Sequence, residues 1–166
     1  PIPDPTYWES NYISFSKPPG SEDRITDSVW LTRDAGGLFN ARQETGFLGW
    51  DVSPTDNGIP LEWAFSGMRG NPTGPITASN EALIFEPLAV IFDSTYSMTD
   101  LVGKPGVLHL LSENIYLNIQ FTSWSDAGGG AFSYVRASEA PLPASMLLLA
   151  PGLACVVGLR KRIWKD

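Results

Sequence analysis

The stretch Glu113-Asn114-Ile115-Tyr116-Leu117-Asn118-Ile119-Gln120-Phe121-Thr122-Ser123-Trp124 alternates apolar and polar side chains along most of its length. Side chains on an extended chain point to opposite faces in turn. Ile115, Leu117, Ile119 and Phe121 are therefore expected on one face, against a core. Tyr116, Asn118, Gln120, Thr122 and Trp124 are expected on the other, which makes this a half-buried strand.

The neighbouring sequence fits the same pattern. Ser125-Asp126-Ala127-Gly128-Gly129-Gly130 follows, then Ala131-Phe132-Ser133-Tyr134-Val135-Arg136. Glycine admits positive φ without a Cβ clash, so the run reads as the turn of a hairpin. It has neither the following helix nor the lysine that a phosphate cradle needs. Further strands are expected at Ser28–Arg33, Gly37–Arg42, Ile59–Phe65, Ala82–Phe85, Val90–Phe92 and Gly106–Leu111. Between several of them lie turn signals at Asp34–Gly37, Ser53–Gly58 and Gly70–Pro75. Many short strands so spaced predict a mainly β fold, an antiparallel jelly-roll-like β-sandwich, with residues 1–139 as one domain that opens on an extended N-terminus. Helix is expected to be scarce before residue 140.

Composition narrows the setting. Glycine and proline together make up 30 of the 166 residues, which suits turns better than long helices. The net charge is −7, but Arg160, Lys161, Arg162 and Lys165 crowd the last seven residues. Residues 1–159 then hold seven bases against 17 acids, a net of −10. Nucleic acid and anionic headgroups bind through Lys and Arg that displace counterions, so an acidic body argues against both as its partners. Cys155 is the only cysteine, which excludes an internal disulfide.

Leu142 to Leu159 contains no charge over 18 residues. As a helix this spans about 27 Å, close to the hydrocarbon thickness of a bilayer. The sequence predicts a transmembrane helix over about residues 142–162, its lipid-facing body carried by Leu142, Leu147, Leu148, Leu149, Leu153, Val156, Val157 and Leu159. Pro151 is tolerated in such a helix, where neighbours satisfy the freed backbone. Arg160, Lys161 and Arg162 predict a cytoplasmic C-terminus, with Trp164 at the headgroups. The acidic domain then lies in the periplasm or outside the cell. The chain opens Pro1-Ile2-Pro3-Asp4-Pro5, and export of that domain leads one to expect that a signal peptide has been cleaved ahead of it.

The order of Ala140-Pro141-Leu142-Pro143-Ala144, an apolar stretch and a basic stop resembles the bacterial PEP-CTERM sorting signal in its Val-Pro-Leu-Pro-Ala form, with Ala140 in place of Val. The resemblance implies that Pro141, Leu142, Pro143 and Ala144 are read by an exosortase, and that the protein passes from the inner membrane to the surface or matrix. The segments Asp23–Thr26, Val29–Arg33, Gly37–Asn40, His109–Leu110 and Phe121–Arg136 are similar to secreted bacterial surface proteins. No activity comes with that similarity.

Sites for chemistry are few. His109 is the only histidine, so any Ser-His-Asp triad or histidine base must include it, and a structural histidine on a strand is the plainer reading. Asp23, Asp27, Asp34, Asp51, Asp56, Glu113 and Asp126 are oxygen ligands of the kind calcium takes, although no stretch has EF-hand spacing; solvated surface charge is the other reading. Trp8, Trp30, Trp50 and Trp63 are expected mostly to fill the core. Trp124, beside Asp126, Gly128, Gly129 and Gly130, is expected to be exposed and to form a contact surface.

No enzyme and no cofactor are expected. The leading functional expectation is a membrane-anchored accessory subunit packed against lipid and the helices of a larger integral-membrane complex, respiratory or photosynthetic. The other is a sorted surface or matrix protein that binds carbohydrate.

Overall fold

The computed structural model describes residues 3–18, 20–34, 37–47, 61–92, 96–125 and 131–139. Trp50, Asp51, Asp56, Asp126, Gly128, Gly129, Gly130 and the expected anchor and sorting segment 140–166 lie outside the described residues. No helix among the described residues is long and apolar enough to cross a membrane.

The domain is mainly β. In chain order its strands are β1 (Thr6–Trp8), β2 (Ile13–Ser16), β3 (Asp23–Arg24), β4 (Trp30–Arg33), β5 (Leu38–Asn40), β6 (Leu61–Phe65), β7 (Gly106–Leu110), β8 (Ile115–Trp124) and β9 (Phe132–Arg136). They form a six-stranded sheet ordered β2-β9-β8-β7-β6 and a three-stranded sheet ordered β3-β4-β5. All pairings are antiparallel except that β1 runs parallel to β8, with Thr6 opposite Ile115 and Trp8 opposite Leu117. Among the described strands, β6 through β9 follow one another in a single sheet, where a jelly roll would send successive strands to alternate sheets.

The core lies between the sheets. Val29, Leu31 and Leu38 of the small sheet and its turns meet Trp63, Phe65, Leu108, Leu117, Phe121 and Tyr134 of the large one. One buried ion pair crosses the same gap. Arg136 on β9 donates from Nε and Nη2 to Asp23 on β3, at 2.6 and 2.9 Å, and the Tyr134 hydroxyl donates to the same carboxylate at 2.7 Å. Two charges taken from water need this near-complete pairing.

β8 follows its alternation as far as Phe121. Leu117, Ile119 and Phe121 are buried while Gln120 and Thr122 are exposed. A register shift between Phe121 and Ser123 then changes the phase, as an extra residue in one strand must. Trp124 in consequence packs on Phe121 and Phe132, with the Arg33 guanidinium 3.6 Å from its ring centre. The exposed Trp124 expected from strict alternation is thus corrected to a half-buried one.

Two other expected strands are absent. Val90–Phe92 falls in and just after a single helical turn, α1 (Leu88–Ile91), which starts after Pro87 at φ −56 and turns Ile91 into the core. Ala82–Phe85 forms no ladder; Asn71 holds it, donating to the Ile84 carbonyl at 3.0 Å and accepting from the Ile84 N–H at 2.8 Å. The N-terminal stretch, expected to be merely extended, supplies β1 and β2 to the large sheet.

Candidate functional site

The large sheet has a second, outer face, and the segment 71–86 lies across part of it. Asn71 closes that segment on itself through Ile84, and a bridge in which Trp63 and Glu86 exchange backbone hydrogen bonds at 2.8 and 3.0 Å ties it to β6. Between Asn71 and Glu86, Ile76 and Ala78 pack on Val107, with Leu83, Phe85 and Tyr116 around them. β7 is buried along all five of its residues because it is covered on both sides.

Asn118 positions the middle of the segment. As an outward residue of β8 it accepts the Ala78 N–H at 2.7 Å and donates to the Tyr12 hydroxyl at 2.9 Å. One residue on, the Ser79 N–H donates to the Glu9 carboxylate at 2.7 Å. That bond, with the Ser79 hydroxyl, holds the Glu9 carboxyl below the usual carboxylate range. The short strap of residues 77–79 is thereby tied to the sheet through Asn118 and to the loop after β1 through Glu9.

An open groove lies on each side of the strap. The first, about 320 Å³, is bordered by Tyr12, Thr77, Asn118 and Gln120. The second, about 310 Å³, is bordered by Tyr7, Ser79, Asn80, Glu81, Phe85 and Tyr116. Tyr7 and Tyr12 are 47% and 55% exposed, so each offers ring surface to solvent at the edge of its groove. Among the described residues, none that lines either groove is Lys or Arg.

Behind the second groove stands a stack of rings. Tyr7 lies on Tyr116 with centroids 5.4 Å apart, and Tyr116 lies on His109 at 3.9 Å and 8°. Phe85 meets both His109 and Tyr116 edge-on. The His109 Nε2 is 3.3 Å from the Asn114 Oδ1, and its Nδ1 faces the Glu62 carboxylate at 3.6 Å. The imidazole is buried. Burial, with the nearby Tyr7 and Glu62, pushes the Tyr116 phenol up.

The residues singled out in the sequence are dispersed. Asp23 is in the ion pair, Asp34 accepts the backbone N–H groups of Gly37 and Phe47, and Glu113 receives the hydroxyls of Thr26 and Ser28. Among the described residues no group of three or more His, Cys, Asp or Glu is placed to hold a metal ion. Trp63 is in the core, Trp8 packs against it, and Trp30 is half-buried under the guanidinium groups of Arg24 and Arg42. Tyr7, Tyr12 and Gln120 were not marked as a site by sequence reasoning. The one signal was the place of Gln120 on the polar face of β8; Tyr7 and Tyr12 stand next to Trp8 and Ile13, with no alternation to mark them.

Comparison of the chain with protein-family models, curated proteins and solved structures finds no match.

Proposed function

We propose that this chain is a non-enzymatic bacterial surface or matrix protein whose β-sandwich binds carbohydrate on the outer face of its large sheet. Residues 140–166 serve as sorting signal and single membrane span, with the domain in the periplasm or outside and the basic end in the cytoplasm. The observation that carries the reading is the pair of open grooves, each edged by an exposed tyrosine and lined by apolar side chains together with hydroxyl and amide groups. A sugar presents C–H faces that stack on aromatic rings and hydroxyls that pair with amides, and this surface offers both.

Histidine-based catalysis is disfavoured by the place of His109, whose ring is buried among Tyr116, Phe85, Glu62 and Asn114. The anchor is supported by the uncharged run and its basic stop.

Purification from membranes in mild detergent tests the proposal against the accessory-subunit alternative. The expected result is a protein that migrates alone, is cut near Ala144 and is retained on insoluble polysaccharide. Co-migration of an intact tail with a large membrane complex, and no retention on polysaccharide, would overturn it.

A further inference from the structure

The two grooves differ in position but share strand β8. Tyr116 faces the second groove and Gln120 the first, both on the outer face of one strand. Four residues of extended chain span about 13 Å, more than a single sugar ring covers. The strap at residues 77–79 stands between the grooves and contributes to both, Thr77 to the first and Ser79 to the second. It is fixed from below by Asn118 and from the side by Glu9.

The described carboxylates of this face are not matched by cations. Glu81 lines the second groove, Glu9 pins the strap and Glu62 stands beside His109, while among the described residues no lysine or arginine lines either groove. An acidic polymer brought here would meet carboxylates with no cation to pair it. An uncharged chain carries no such cost.

Resting on the carbohydrate reading above, we infer that the two grooves are subsites for one uncharged polysaccharide chain, which crosses the strap and stacks one sugar on Tyr12 and another on Tyr7. A monosaccharide fills one groove; an oligomer long enough to cross Ala78 fills both. The second contact is then made within an existing complex, so affinity rises steeply at the length that first reaches both tyrosines.

The test uses the full chain in detergent, titrated by calorimetry with ladders of unsubstituted glucose, mannose and galactose oligomers from monomer to hexamer, and with polygalacturonate as the acidic probe. At least one neutral ladder is expected to bind, with a step of about tenfold or more between short and long members. Tyr7→Ala and Tyr12→Ala are each expected to remove that step and to weaken the hexamer by about tenfold, while Tyr7→Phe, which keeps the ring, retains it. Circular dichroism on each variant separates lost binding from lost fold.

Binding that does not change from monomer to hexamer, or a step that survives both alanine variants, would overturn the bridged-groove inference and leave carbohydrate binding standing. Equal affinity for polygalacturonate would overturn the assignment to uncharged chains. Failure of every neutral and acidic probe would remove the carbohydrate reading itself.

Discussion

At the scale of single residues, the Asp23–Arg136–Tyr134 cluster concentrates the domain's electrostatics. Arg136 is 4% exposed, so removing its partner would strand a guanidinium inside the protein. Asp23→Ala is expected to destabilise the fold by about 3–5 kcal/mol, read as a shift in the urea midpoint. An effect no larger than that of a surface substitution would mean that water reaches the pair. Tyr134 adds a pH dependence. Burial first, and then the Asp23 charge, push its phenol well above the ordinary tyrosine value. In the unfolded chain it titrates near about pH 10. Its contribution is therefore fully present below that pH and is lost as pH climbs towards the folded value. Tyr134→Phe should flatten this part of the alkaline stability profile; an unchanged slope between the two proteins would place the titration elsewhere. None of this cluster was legible in the sequence. Asp23 lies 113 residues from Arg136, and a strand of two residues carries no periodicity to reveal the pairing.

At the scale of elements, what could be read depended on how evenly a strand is buried. β8 was legible because Leu117, Ile119 and Phe121 meet the core at every second position while polar side chains occupy the places between them. Its reading failed only at Trp124, where the bulge inserts a change of phase that hydrophobicity cannot show in advance. β1 and β2 have three and four residues and mostly exposed side chains, so no alternation marked them, and the site they help to build went unmarked with them. Ala82–Phe85 and Val90–Phe92 are apolar because they pack on a sheet, which satisfies the same composition without any ladder. Close packing between elements can be tested at Gly106. A Cβ there would stand 2.6 Å from the ring of Phe65, itself fully buried, and 3.2 Å from the Ile119 carbonyl oxygen. Gly106→Ala is expected to cost about 1–3 kcal/mol, measured by thermal unfolding, because the ring has nowhere to move. No loss of stability would show that β6 and β7 can part without penalty.

At the scale of the whole molecule, the described residues cover both faces of the large sheet at β7 and the adjoining part of β8. Amide hydrogen exchange should therefore be slowest in β7 and the adjoining half of β8, and fast in β1 and β2. Protection of β2 equal to that of β7 would contradict this gradient. The same sheet draws β1 and β2 from the start of the domain and β6 to β9 from its end, with Thr6 bonded beside Ile115 and Ile13 beside Arg136. During synthesis the opening segment thus emerges long before the strands that will receive it. β1 can dock once the start of β8 exists, whereas β2 must wait for β9, so closure of the large sheet is limited by long-range search. A polypeptide built this way closes its large sheet only when β9 arrives to receive β2.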